Sequence, residues 1–210
     1  MADSLNKRLK TLLNRRDATV VPGAFNALAA KMVADEGFEA VYVSGAGVTN
    51  AYLGVPDLGL ISLSELADNV AAMRDVVDIP IVSDADTGFG NAVNVTRTVR
   101  VLERAGANGI QLEDQVFPKK CGHFAGKAVI PADEATQKIR AAVDARKDED
   151  FVIVARTDAR SVLGFEAALE RAHGFIEAGA DVTFVEAPES IEEIEQIAKL
   201  PVPQLINLVF

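Results

Sequence analysis

The sequence has a single cysteine, Cys121, and only two histidines, His123 and His173. One thiol excludes an intramolecular disulfide framework and fits a reducing compartment, so a cytoplasmic protein is expected. No apolar run approaches the roughly 20 residues needed to cross a bilayer. The basic start, "MADSLNKRLKTLLNRRD", has no continuous hydrophobic stretch, which excludes a secretory signal. Leu5, Leu9, Leu12 and Leu13 instead make one face of an amphipathic helix. A mitochondrial presequence is the alternative reading, disfavoured because the segment runs into the first strand without a spacer. No "GxGxxG" turn follows the first strand, and "GAG" (45–47) and "GFG" (88–90) are too short for a nucleotide fingerprint. Positive charge is scarce: 21 Lys and Arg stand against 31 Asp and Glu, a net charge of −10 and a pI near 4.7. That balance argues against nucleic acid or an anionic membrane surface as a partner.

What is present suits one compact α/β domain over residues 1–210: 49% of the residues are hydrophobic and the mean hydropathy is +0.16. Strand-length apolar runs occur at 19–23 ("TVVPG"), 39–45, 79–86, 108–114, 151–158, 181–188 and 203–210 ("PQLINLVF"). Helical spacing fills 24–36, 63–77, 92–105, 132–146 and 165–178 between them. Near-continuous Val and Ile runs are what parallel strands with two buried faces look like. "DEGFEAVYVSG", "ERAGANGIQLED" and "IEAGADVTFVEA" repeat one unit, in which Gly37, Gly106 and Gly179 end a helix in a left-handed cap before the next strand. Such repetition without a dinucleotide turn favours a parallel β/α (TIM-type) barrel over an open sheet. Seven strands are expected where a closed barrel needs eight. The chain therefore reads as a barrel truncated after its seventh strand, with an open relative of that fold as the alternative.

The strands are apolar until their last residues and then turn polar: Ser44, Asp84 and Asp86, Glu113 and Asp114, Arg156 and Asp158, Glu186, Asn207. In a β/α barrel those strand ends form the face where active sites are built. Asp84 and Asp86 lie two apart and would point the same way on an extended segment, with Glu113 beside them. Carboxylates crowded in this way repel unless a cation sits among them, and all-oxygen, partly hydrated ligation suits Mg²⁺ better than zinc. The competing reading has one carboxylate capping the next helix and the other paired by Arg156. Asn91 is placed to cap the helix after "GFG". Arg156 should bind a carboxylate of the protein or of a substrate. His173 reads as a helix-surface residue, and Lys31 and Tyr42 as helix surface and strand packing.

The loop "PKKCGHFAGK" (118–127) places the lone thiol after Lys119 and Lys120 and before Gly122 and His123. A structural cysteine is usually buried among apolar neighbours, whereas this setting exposes the thiol; the competing reading is an accidental loop cysteine with no chemical role.

"VSGAGV", "DADTGFG", "QLEDQVFPKKCGH", "ARTDAR", "FVEAP" and "INLV", in that order, resemble the isocitrate lyase and phosphoenolpyruvate mutase superfamily, above all its short lyases typified by 2-methylisocitrate lyase. The resemblance implies a β/α barrel, usually a homotetramer, that holds Mg²⁺ (with Mn²⁺ able to substitute). It implies retro-aldol cleavage of a C–C bond in a small 2-hydroxy di- or tricarboxylate. Carried over, Asp86 is the direct metal ligand and Asp84 and Glu113 hold metal-bound waters. Ser44, Gly45 and Ala46 bind a 2-oxo acid carboxylate through backbone groups, and Asp57, Arg156, Glu186 and Asn207 line the same pocket. Cys121 becomes the acid that protonates the carbanion, with Lys119, Lys120, Gly122 and His123 holding the substrate around it. Three features depart from the pattern. Lys120 stands where methylisocitrate lyases commonly carry arginine, "SGA" replaces the usual "SGG", and the eighth strand and C-terminal helices are missing. The alternatives are a dimethylmalate-type lyase, oxaloacetate decarboxylation or hydrolysis, or a catalytically silent binding protein on the same barrel.

Overall fold

The computed structural model describes residues 4–15, 17–122 and 126–207. Six strands lie parallel in one sheet in chain order: β1 (Gly23–Ala24), β2 (Val41–Val43), β3 (Ile81–Asp84), β4 (Gly109–Glu113), β5 (Val152–Thr157) and β6 (Val182–Val185). Among the described residues the helices are α1 (Leu5–Leu13), α2 (Ala27–Asp35), α3 (Gly45–Leu53), α4 (Leu63–Arg74), α5 (Ala92–Ala105), α6 (Ala132–Ala145), α7 (Arg160–Leu163), α8 (Phe165–Glu177) and α9 (Ile191–Ile197). Sequential parallel neighbours joined through helices make the wall of a β/α barrel. The sheet does not close on itself among these residues. Beyond β6, Thr183 and Gln204 form a parallel bridge, and the Leu205 amide donates to the Thr183 carbonyl at 2.9 Å. The seventh strand expected over 203–210 is therefore seen as this single bridge, and residues 208–210 lie outside the described chain.

Alternation along the strands separates two apolar layers. Val43, Ile81, Ile110, Leu112, Ile153 and Ala155 point outward into the main core, against helix residues such as Leu66, Val70, Val99, Leu102 and Phe175. Their neighbours Val82, Val152, Val154, Val182 and Phe184 point inward and pack with Leu9 of α1, while Tyr42, Leu13 and Leu205 border the cluster. One step further along, the same inward register carries Asp84, Glu113, Arg156 and Glu186. The barrel interior is thus apolar at its floor and charged at the carboxyl ends of the strands.

Helix α1 closes the floor. Ser4 caps it by accepting from the Lys7 amide. Asn6 bonds Asp148 and Asn108, Arg8 donates to the Asp78 carbonyl, and Lys10 to the Glu149 carbonyl. All of these partners lie just before β3, β4 or β5, so α1 plugs the end of the barrel opposite the charged one.

The helix expected over 92–105 appears with those bounds and the other expected helices with shorter ends, and Asn91 caps α5 in a reciprocal box with Asn94. Gly37, Gly106 and Gly179 all take positive φ. Two segments differ from expectation. The first strand is two residues, Gly23–Ala24, because Pro22 has no amide to pair and Val20 and Val21 stay largely in solvent. The glycine-rich stretch after β2 forms a nine-residue helix, α3, capped by Ser44 and ended by Gly54 at positive φ.

Leu9→Ala removes the floor's central side chain, and urea unfolding should show a loss of about 2–5 kcal/mol. A loss under about 1 kcal/mol would mean that α1 lies on the barrel rather than in it.

Candidate active site

The polar ends of β2 to β6 meet at one mouth. Asp84 ends β3, and its Oδ1 accepts from the Asp86 amide at 3.0 Å. Asp86 itself lies beyond the strand with φ +47, a left-handed conformation unusual for a residue with a side chain. The two carboxylates therefore converge through this turn, not through the strand alternation expected for residues two apart. Both lie against Gly45, where a Cβ would sit 2.8 Å from Asp84 Oδ2 and 3.3 Å from Asp86 Oδ1. Only glycine lets the start of α3 approach so closely.

Lys119 reaches in from the thiol loop. Its Nζ is 2.6 Å from Asp57 Oδ2 and 2.7 Å from Asp86 Oδ1, and all three side chains are nearly fully buried. Burial works against the ammonium, but Asp84, Asp86, Glu113 and Asp57 together hold its pKa above the ordinary lysine value. Burial and the neighbouring Asp84 push Asp86 up to about 7, against the pull of Lys119. Glu113 is likewise pushed well up by burial, which Arg156 only partly offsets. Tyr42 points inward, donates to Gln111 at 2.9 Å, and has its phenol pKa raised by burial and Asp84.

Arg156 ends β5 at the centre of a second set. It makes two 3.0 Å bonds to the carboxylate of Asp158, and lies 3.6 Å from Glu113 and 3.4 Å from Glu186. Asp158 in turn is held from behind: its amide donates to Asp114, which also accepts from Thr157 and from Arg171 of α8. Asn207 approaches Glu186 at 3.4 Å. Arg156 thus pairs with Asp158, Glu113 and Glu186, not with the Asp84/Asp86 pair.

The thiol loop leaves β4 and returns as an antiparallel stem. Gln115 bridges Val129, the Val116 amide donates to the Ala128 carbonyl, and Gln115 exchanges two bonds with the Lys120 backbone. The loop is folded over the mouth, so that Gly122 rests against the Arg156 guanidinium and a Cβ there would lie 2.6 Å from Glu186 Oε1. Cys121 faces a cavity of about 410 Å³ lined also by Ala46, Asn50, Gly54, Val55, Pro56 and Asp57. One expected member stands apart and one cannot be placed. Lys120 turns its ammonium onto the loop's own Gly126 carbonyl, and His123 lies outside the described residues. His173 is exposed on α8, as its surface reading expects.

Sequence reasoning placed Asp114 and Asp158 at strand ends but missed their use as a clamp on Arg156. It also missed the inward course of Tyr42 and the bonds of Lys127 to Asp158 and the Gly122 carbonyl. A polar residue inside the apolar run of β4, Gln111, was the available signal for Tyr42.

The acids fit a hydrated divalent cation. Oδ1 of Asp57 and Oε1 of Glu113 are buried without a hydrogen-bond partner, and Asp86 Oδ1 is met by the Lys119 ammonium alone. Among the described residues no three His, Cys, Asp or Glu side chains are set for direct coordination. The arrangement suits one direct carboxylate ligand with the others reached through water.

The chain matches the family described as phosphoenolpyruvate phosphomutase over residues 9–210. It is 54% identical over 201 residues to a 2-methylisocitrate lyase of Aeropyrum pernix, covering 95% of this chain and 64% of that protein. It is 47% identical over 203 residues to a 2,3-dimethylmalate lyase of Eubacterium barkeri, covering 96% and 70%. A solved complex of phosphonopyruvate hydrolase with oxalate and Mg²⁺ superposes with a TM-score of 0.87 at 34% identity, covering 97% and 72%. The chain spans about two thirds of the length of the curated relatives it matches.

Arg156 and Lys127 outweigh burial and hold the Asp158 carboxyl below the ordinary range. A lowered folded pKa gives stability that is present above the unfolded value near 4 and lost as pH falls through the folded one. Asp158→Asn should therefore cost about 3–5 kcal/mol at pH 7, as expected for breaking a buried ion pair. The gap between the urea midpoints of variant and wild type should narrow only below about pH 4. A gap that is the same at pH 7 and pH 3 would contradict the charge pairing.

Proposed function

The chain belongs to the phosphoenolpyruvate mutase and isocitrate lyase superfamily, and from that premise we propose that it is a Mg²⁺-dependent carbon–carbon lyase. Its substrate is a small 2-hydroxy di- or tricarboxylate of the 2-methylisocitrate or 2,3-dimethylmalate kind, cleaved by retro-aldol chemistry. The observation that carries this reading is the folded loop. It sets the single thiol over a cavity whose other walls are Ala46 and Asn50 of α3 and the segment from Gly54 to Asp57, while its next residue lies on Arg156.

Asp86 would hold the ion directly, with Asp84 and Glu113 acting through water, and Mn²⁺ would substitute. When bound, the ion polarises the oxygens of the 2-oxo acid end and favours their negative charge. Gly45 and Ala46, at the N-terminus of α3, would offer backbone amides to a carboxylate beside Ser44, whose own amide donates to the Ala24 carbonyl. Arg156 offers a fixed guanidinium to a second carboxylate, and Asp57, Glu186 and Asn207 border the pocket. Lys119 offsets the acids beside it, while Gly122, Lys120 and His123 complete the loop. As the C–C bond breaks, the hydroxyl gives its proton to a carboxylate of the mouth, the carbon that bore it becomes the carbonyl, and the bond's electron pair stays on the departing carbon. Cys121 gives its proton to that carbon, and the folded loop keeps water from competing.

In this reading the chain acts as one domain in the cytoplasm. Exposed apolar side chains such as Leu28, Met32 and Tyr52 would serve association into a homotetramer. A dimethylmalate-type substrate is the nearest alternative, favoured by the mixed apolar and polar lining around Cys121.

Incubated with Mg²⁺ and a panel of such acids, the protein should release a 2-oxo acid, and release should stop on chelation. Cys121→Ser should lower kcat by ~10²-fold or more with KM little changed. Unchanged turnover with a large rise in KM would make Cys121 a binding residue instead of a proton donor, and turnover that survives exhaustive chelation would refute the metal role.

A further inference from the structure

Lys127 has no part in the chemistry above, yet it is among the more completely buried lysines. Its side chain is 3% exposed, and its Nζ donates to Asp158 Oδ1 at 2.8 Å and to the carbonyl of Gly122. A buried ammonium is costly unless paired, and this one is satisfied by two groups from different parts of the site. One is the carboxylate that grips Arg156 through two bonds. The other is the carbonyl next to the thiol-bearing residue. Among the described residues, bonds from Val116 to Ala128, Ile130 to Asp114 and Gln115 to Lys120 hold the stem of the loop, Lys120 donates to the Gly126 carbonyl, and Lys119 anchors the loop's first half to Asp57 and Asp86. Lys127 reaches back five residues to the loop's tip.

We propose that Lys127 is a positioning residue: it ties Gly122, and with it the adjoining Cys121 thiol, to the Asp158 carboxylate that holds Arg156. The proton donor and the guanidinium then keep one spacing, set by a single buried ammonium. The tie runs on through Asp158 to Asp114 and Arg171, so the thiol is referenced to the packed β4, β5 and α8 framework. Its consequence for turnover rests on the lyase reading; the tie itself does not. The competing role is simple neutralisation of Asp158, which would affect stability without affecting the thiol.

Because Cys121 is the only cysteine, alkylation by iodoacetamide reports on one site. With no substrate present, folded Lys127→Met should alkylate about fivefold or more faster than wild type, since access governs thiol reactivity. Lys127→Arg, which can still donate to both oxygens, should stay within about twofold. With an active wild type, kcat of Lys127→Met should fall ~10-fold or more with KM changed less than about threefold, and Lys127→Arg should restore it. Alkylation of folded Lys127→Met at the wild-type rate would overturn the tie and leave neutralisation as its role. Unchanged kcat despite faster alkylation would overturn the catalytic consequence. If circular dichroism shows Lys127→Met unfolded, Lys127→Gln carries the same expectations. If wild type turns over no acid in the panel, the lyase reading fails and the alkylation rates still decide the tie.

Discussion

The dominant physical constraint in this molecule is an imbalance of buried charge at the open end of the barrel. Asp57, Asp84, Asp86, Glu113, Asp114, Asp158 and Glu186 are all buried there, and the buried cationic side chains that contact them are Lys119, Lys127, Arg156 and Arg171. Charges taken out of water are tolerated only when paired closely or neutralised. Lys127 is engaged on Asp158, Arg156 is shared among Asp158, Glu113 and Glu186, and Arg171 pairs with Asp114, so among the described residues Lys119 is the cation against the Asp84, Asp86 and Asp57 group. Burial first, with neighbouring carboxylates adding to it, makes Asp86 and Glu113 hold their protons more tightly than ordinary carboxyls. The shortage of cations explains buried oxygens without donors. A fold selected for stability alone would put apolar side chains at these positions. In the proposed reading a bound divalent ion would offset the excess.

The rest of the architecture serves to hold that excess in place. Apolar layers pack on both faces of the strands, and α1 seals the floor, so the charged layer sits on a rigid base. The acid side is brought together by backbone as much as by side chains: Asp86 takes a left-handed turn, and Gly45 allows α3 to press against two carboxylates. Strain of this kind persists where surrounding structure over-determines it, and it clusters at functional sites. The thiol loop adds the remaining wall. Its Lys119 enters the acid cluster while Gly122 lies on Arg156, so one excursion from β4 touches both halves of the mouth.

Much of this was legible in the sequence. Apolar runs ending in Ser44, Asp84, Glu113, Arg156 and Glu186 announced parallel strands with a polar rim, because a side chain's place along a buried strand fixes its depth in a barrel. Helix-ending glycines and the Asn91 cap were equally local signals. What stayed hidden depends on backbone conformation or on partners distant in sequence. The turn at Asp86 breaks the simple alternation argument while still delivering the convergence expected of it. Helix α3 was obscured by its glycines, whose presence is explained by close approach to Phe25 and the two aspartates, not by helix propensity. The grip of Asp158 on Arg156 spans two residues in sequence, yet its backing by Asp114 and Arg171 spans 44 and 57. No periodicity encodes such pairs.

The central claim is that the excess of buried carboxylates at the barrel mouth is a binding site for one divalent ion. It is tested most directly by titrating the substrate-free chain with Mn²⁺ and following free ion by electron paramagnetic resonance. The account predicts a single saturable site per chain, displaced by Mg²⁺ and abolished by Asp86→Asn in a protein that remains folded. Binding that is absent, or that survives Asp86→Asn unchanged, would contradict it.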